Sequence, residues 1–290
     1  MFMEQVSNGL ALGSIYALTA IGFTMVYGII SLINFAHGDI YMMGAFFALT
    51  GFAVFKLPLF IAFLFGMAGA ALVGLMLARF AYRPVFNAPR INLFLCAIGA
   101  AIFLENFAML VWGPETQSFP QVINNQVYRA FGFTLSTLQL IILGTGIVLM
   151  AVLTYIVQYT KLGRAMRCTA QDMNAAKLMG INTNRIVYFT FALGSALGAA
   201  AGILVGMYYK AVFPMMGFVP GLKAFVAAVI GGIGSIPGAM LGGIIMGLAE
   251  SLGAAYISSG YRDAIAFIIL IFILLVKPAG LFGKSVREKV

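Results

Sequence analysis

The chain has 290 residues, of which 62% are hydrophobic and 9% charged, against about 25% charged in an ordinary soluble domain. So few charges cannot cover a water-exposed surface, which excludes a cytosolic globular enzyme, a disordered chain and a disulfide-stapled secreted scaffold. The formal net charge is +9, but the cations sit in short gaps between apolar runs and form no basic stripe, so nucleic acid is not an expected partner.

A helix needs about 20 apolar residues to cross the hydrocarbon core. In chain order the candidate runs are 8–33, 40–55, 58–78, 93–112, 136–158, 186–208, 222–236, 239–257 and 264–276. The start, Met-Phe-Met-Glu-Gln, lacks a basic region and a small-residue cleavage site, so the first run is expected to stay as a helix. Runs 40–55 and 222–236 are short and read as half-helices or re-entrant segments, which protein or a water-filled cavity must cover. The expected fold is therefore all-α: a polytopic transmembrane helix bundle with about eight or nine crossings, some discontinuous or re-entrant, in one domain over 1–290. The runs are continuous rather than alternating, so no transmembrane strands are expected.

Arg79, Arg83 and Arg90 form one basic cluster. Lys161, Arg164, Arg167, Lys177 and Arg185 form a second, and Lys277, Lys284, Arg287 and Lys289 a third. The positive-inside rule makes these the cytoplasmic segments and leaves the polar stretch 113–134 outside. Nine crossings would put the N-terminus outside, and eight would put it inside.

The loop 159–184 is the largest cytoplasmic feature between spans. Asp172 is placed to cap a short helix carrying Ala175, Ala176, Leu178 and Met179, with Gly180 as its stop. Such a helix either lies on anionic lipid or docks into a cytoplasmic partner, and its spacing favours neither.

Gly194, Gly198, Gly202 and Gly206 recur every four residues, and Gly234, Gly238 and Gly242 repeat the spacing. On helices these are smooth stripes where another backbone can approach. Two places look broken. One is the polar interruption containing Asn34, His37 and Asp39; the other is the glycine-rich turn containing Ser235 and Pro237. Interrupted apolar segments in the two halves of a transporter point to the transport path. Glu105 and Glu250 lie within spans. They are either an ion relay or carboxyls bonded to neighbouring helices.

No metal site is expected, because two cysteines and one histidine cannot supply a zinc ligand set. The segment Gly280-Leu-Phe-Gly-Lys-Ser285 misses a phosphate loop, since Pro278 stands where its first glycine should be. With no nucleophile, metal or nucleotide motif, no catalytic residue is expected, and uphill transport would need an ion gradient or a separate ATPase.

Three early segments, Gly13-Ser-Ile-Tyr-Ala-Leu18, Gly22-Phe-Thr-Met-Val-Tyr-Gly28 and Ile33-Asn-Phe-Ala-His-Gly-Asp39, resemble the opening of the LivH-type permeases. These are inner-membrane subunits of bacterial branched-chain amino acid ABC importers. The loop Gly163-Arg-Ala-Met-Arg167 through Asp172, Ala175, Ala176 and Gly180 is similar to the family's cytoplasmic loop, and so is the segment from Lys223 to Gly238. The resemblance implies four core parts: this chain, a second permease of the same superfamily and two cytoplasmic ATPases. A periplasmic binding protein would deliver leucine, isoleucine or valine. It also implies that 159–184 couples to an ATPase through Arg164, Arg167, Asp172, Ala175, Ala176 and Gly180. The usual Glu-Ala-Ala reads Asn174-Ala-Ala here, with Asp172 as a replacement acid. No cofactor is implied for this chain; ATP is used by the partners. The other readings are a permease for urea or another small amide, and a stand-alone secondary transporter that would rely on Glu105 and Glu250.

Overall fold

The computed structural model describes residues 2–30, 34–86, 88–121, 123, 126–130 and 133–283. The sequence expectations that touch Ser31, Leu32, Ile33, Lys284, Arg287 and Lys289 lie outside them. Among the described residues there are eleven α-helices: α1 (Phe2–Ile30), α2 (His37–Ala53), α3 (Leu59–Met76), α4 (Arg90–Trp112), α5 (Thr137–Tyr159), α6 (Lys161–Gln171), α7 (Met173–Leu178), α8 (Thr183–Tyr209), α9 (Phe218–Gly231), α10 (Ile236–Tyr256) and α11 (Arg262–Val276). α3 continues through a π-helical turn at Leu77–Tyr82 and a 3-10 turn at Arg83–Val85.

Small residues set the packing. α1 is the central post, buried over most of its length. Its Gly9 and Gly13 face Gly247 and Ile244 of α10, and Gly243 of α10 faces Ala17. Backbones can approach this closely only where no Cβ stands between them, which in an apolar medium gives dispersion contact that bulkier residues would forfeit. α8 packs the same way. Gly194 meets Gly22 of α1, Gly198 meets the ring of His37, and Gly202 meets the carbonyl of Tyr41. Gly206 meets Phe119 and Val212 at the helix end. Outside this core, α3, α4, α5 and α11 expose Phe60, Leu72, Leu110, Ile147 and Leu275, an apolar belt that lipid or another subunit must cover.

Among the described residues, seven helices are long and apolar enough to cross a membrane, rather than the eight or nine expected. The difference lies in α2 and α9, the two short runs. α9 has 14 residues, about 21 Å at 1.5 Å per residue, against a hydrocarbon core of about 30 Å. Neither begins at a face of the bundle. His37, at the start of α2, reaches the carbonyl of Thr19 in the middle of α1 (3.2 Å), and the start of α9 abuts the start of α2 through Gly217 and Gly38.

The expectation of no strands holds for the spans but not for the polar segment. β1 (Gln117–Ser118) pairs antiparallel with β4 (Ala211–Val212), and β2 (Val127–Ala130) pairs with β3 (Phe133–Ser136). A polar segment folded over a bundle must partner its backbone groups, and short ribbons do so. β3 leads into α5 through a capping box in which Ser136 and Gln139 exchange side-chain and backbone hydrogen bonds. At the other face the stretch 280–283 closes the end of α9. The amides of Leu281 and Phe282 donate to the carbonyls of Ile230 and Gly231 (2.9 and 3.0 Å), groups a helix end leaves without intrahelical partners.

Candidate translocation and coupling sites

The first site forms where α2 and α9 begin. A cavity of about 320 Å³ lies between these starts, α1 and α4. Asn34, His37 and Asp39 line it from the α1–α2 connection, Glu105 from α4, and Phe23, Phe94 and Phe225 supply apolar wall. Asn34, His37 and Asp39 are all buried. His37 is wedged between α1 and α8 in space that glycine leaves: a Cβ at Gly22 would stand 2.8 Å from its Nε2, and one at Gly198 3.2 Å from its ring. The side-chain carbonyl of Asn34 accepts from the hydroxyl of Tyr82 (2.6 Å). Tyr82 comes from the π turn that ends α3 and packs on Phe191 of α8.

A second cavity, also about 320 Å³, lies across α9 from the first. Here Glu250 of α10 is held from three sides. Tyr16 donates to one oxygen (2.7 Å), Lys223 to the other (3.0 Å), and the Arg262 Nε lies 3.5 Å away. Lys223 also pairs with Asp263 (2.7 Å). Four helices, α1, α9, α10 and α11, are thereby tied at one level. The Glu250 carboxyl is thus paired within the bundle, as a buried ionisable group requires.

The third site is the segment between α5 and α8. It forms two helices, not one. α6 starts on Thr160, whose hydroxyl accepts from the Gly163 amide (3.0 Å), and buries Gly163, Met166 and Thr169 against the bundle. Arg167 reaches back to the carbonyl of Val157 at the end of α5. α7 is capped by Asp172, whose carboxylate accepts from the amides of Asn174 and Ala175 (2.8 and 2.9 Å). It ends in a Schellman turn. The amide of Gly180 donates to Lys177 and that of Ile181 to Ala176 (both 3.0 Å), with Gly180 at φ +80°. Ala176 points inward and is buried, while Leu178 and Met179 are almost fully exposed, at 89% and 83%. The Asn182 side chain then accepts from the Arg185 amide (3.2 Å) and starts α8.

Residues 5–274 match the family described as "Branched-chain amino acid transport system / permease component". The high-affinity branched-chain amino acid transport system permease protein LivH of Escherichia coli (strain K12) is 43% identical over the whole of this chain and 98% of its own length. BraD, the corresponding permease protein of Pseudomonas aeruginosa, is also 43% identical over the same shares. The chain belongs to this permease family. Its fold is that of ABC transporter permeases: an inward-facing putative metal-chelate type ABC transporter superposes with a TM-score of 0.52 at 16% identity, over 94% of this chain and 84% of that one.

In this permease the residues singled out in sequence divide. Asn34, His37 and Asp39 share one cavity, which Glu105 joins. Ser235 and Pro237 do not enter it. Ser235 caps α10 by accepting from the Gly238 amide (3.2 Å), and Pro237 sits in the first turn, where its missing amide costs nothing. Their turn starts α10. Gly234 is likewise no packing residue. It lies outside α10 at φ +92°, and a Cβ there would meet nothing within 4 Å, so backbone conformation alone accounts for it. Gly238 and Gly242 do pack, against Gly231 and Ala227 of α9. Arg164 is exposed on α6. Tyr82, Arg262 and Asp263 were not legible as site residues. No pattern in the sequence marks Tyr82, whose role comes from an extra residue in one helical turn. Tyr16 lies in the segment Gly13-Ser-Ile-Tyr-Ala-Leu18, where nothing local shows that it meets Glu250.

Proposed function

We propose that this chain is one permease half of a binding-protein-dependent importer for leucine, isoleucine or valine in the bacterial inner membrane. It would pair with a second permease of the same superfamily, with two cytoplasmic ATPases that use the ATP and with a periplasmic binding protein. It would carry no nucleotide site, metal or other cofactor of its own. The names of its relatives support the substrate, and the positive-inside distribution of Lys and Arg supports the orientation.

The observation that carries the reading is mechanical. α7 presents Leu178 and Met179 outward, is clamped at both ends by Asp172 and Gly180, and passes within a few residues into α8. α8 is unbroken over 27 residues, about 40 Å at 1.5 Å per residue, and its Gly198 and Gly202 touch His37 and Tyr41 of α2. A push on α7 by a closing ATPase thus reaches the wall of the first cavity through a single rigid helix. ATP binding shifts the pair between outward and inward openings only by as much as the ATPases bind one state better. The glycine contacts permit the sliding, since they hold backbones together without interlocking side chains.

The test is labelled uptake into proteoliposomes holding the permease pair, the ATPases and the loaded binding protein. Leucine should accumulate with ATP and urea should not. Ala176→Arg places a bulky cation in a buried position of α7, and should reduce uptake at least about tenfold while ATP is still hydrolysed, a loss of about 1.4 kcal/mol of coupling or more. Normal uptake by that variant would overturn the docking role of α7. Leucine accumulation by this chain alone, driven by an ion gradient, would overturn the whole reading.

A further inference from the structure

We infer that the cavity between the starts of α2 and α9 recognises the α-ammonium and α-carboxylate groups of an amino acid in transit. Asp39 and Glu105 are the counter-charges for the ammonium, and the Asn34 amide donates to the carboxylate. The inference rests on the importer reading above and gives it a substrate site inside the membrane.

The chain contains its own control. Glu250 is a buried carboxyl in an apolar helix, and it is answered by Lys223, Arg262 and Tyr16. Asp39 is equally buried, at 3% exposure. Yet no lysine or arginine lines its cavity, and neither Asp39 nor Glu105 forms an ion pair among the described residues. Two carboxyls facing one apolar-walled space without a cation are costly, and a mobile cationic group that enters the space offsets that cost.

A plainer role exists for Asp39. It stands in the first turn of α2, where an acid complements the helix dipole. That role explains neither Glu105 on the opposite wall nor Asn34. The Asn34 side chain is 2% exposed. Tyr82 holds its side-chain carbonyl at 2.6 Å, which turns the amide into a fixed donor, and its Nδ2 has no hydrogen-bond partner among the described residues. A buried donor left unpaired costs about 1–3 kcal/mol, and Asn34 is a lining residue of the same cavity as the two acids. One fixed donor and two acids suit a zwitterion, with carboxylate to Asn34 and ammonium between Asp39 and Glu105. The remaining wall, Phe23, Phe94, Ile98, Leu222 and Phe225, suits an aliphatic side chain. The volume of about 320 Å³ is at the small end of ligand sites, roughly 300–1,000 Å³, and has room for one amino acid.

The test uses the assembled permease–ATPase complex in detergent without the binding protein, probed with photo-leucine, the diazirine analogue of leucine. Illumination should label peptides carrying Phe94 or Phe225. Leucine should protect against labelling at least about tenfold better than 4-methylpentanoate, which is leucine without its amino group, because a charge-assisted hydrogen bond is worth that factor or more. Asp39→Asn should lower labelling by a similar factor while Asp39→Glu restores part of it. Co-elution of the variant complex with its partners checks that it is assembled. Equal protection by the two competitors, or labelling of the Phe94 and Phe225 peptides that survives Asp39→Asn, would overturn the inference. So would absence of label at these peptides in a complex that transports leucine. A complex that transports no leucine when given its binding protein would instead count against the importer reading.

Discussion

Glu250 and Asp39 are both acids within apolar helices, and sequence alone could not separate their roles. What separates them is the company each keeps. Tyr16, which donates to Glu250, is 234 residues away along the chain, so no local pattern could have announced it. Lys223 stands between Glu250 and Asp263, at 3.0 and 2.7 Å. Removing that cation leaves Glu250 buried with a weaker set of partners, and breaking a buried pair from one side costs about 3–5 kcal/mol. Lys223→Met should therefore lower the melting temperature of the detergent-solubilised protein markedly. Adding Glu250→Gln to it should recover much of the loss, because the uncompensated charge goes with it. Additive losses in the double variant would show that these residues do not act as a pair. Glycine was more legible. The four-residue spacing of Gly194, Gly198 and Gly202 marked a smooth face, and each meets another helix. Gly234 shared the spacing for a different reason, its positive φ, which spacing cannot distinguish from packing.

At the scale of elements, α7 was readable because its ends are chemical. Asp172 offers an acceptor to open amides and Gly180 accepts a left-handed backbone, and both are properties of single residues. α6 was not readable. Its segment is polar and carries Gly163, a poor helix former; it is helical because Gly163, Met166 and Thr169 bury one face against the bundle. Tertiary packing supplies what propensity withholds. The starts of α2 and α9 were hidden for a related reason: a half-helix and a full span read alike in composition, and only the contact of Gly38 with Gly217 shows where they begin. The Schellman turn gives a direct test of α7 as a mechanical element. Gly180→Val forces a β-branched side chain to φ +80° and should cost about 1–3 kcal/mol locally, fraying α7 and lowering ATP-driven uptake several-fold. Gly180→Asn, which tolerates that region, should retain most uptake. Equal loss in both variants would mean that the side chain, not the turn, is what matters there.

The whole molecule has two faces, and its side-chain contacts fix which ends share one. Asn8 near the start of α1 hydrogen-bonds Gln139 at the start of α5, and Ser251 near the end of α10 donates to the carbonyl of Gln5 (2.8 Å). The β2–β3 ribbon leads into α5, and the β1–β4 ribbon joins the chain after α4 to the chain after α8. The opposite end of α1 lines a small cavity with Arg167 and Ala170 of α6. The start of α1 and the described residues of 113–136 therefore lie on one face and the basic α6–α7 pair on the other. The parity of eight or nine crossings left the N-terminus undecided; this geometry together with the positive-inside rule predicts it outside. Cysteine chemistry can read the result, because the chain has two cysteines, Cys96 half-buried among apolar residues and Cys168 exposed on α6. In a Cys96→Ala background, a membrane-impermeant maleimide should reach Cys168 only after the membrane is opened. Phe2→Cys and Thr116→Cys, each added to that background, should be labelled in intact spheroplasts. Labelling of Cys168 from outside would invert the orientation and separate α7 from any cytoplasmic ATPase. Protection of position 2 while position 116 reacts would mean that α1 does not cross in the direction its contacts require, and the path from α7 through α8 to the Asp39 cavity would lose its frame.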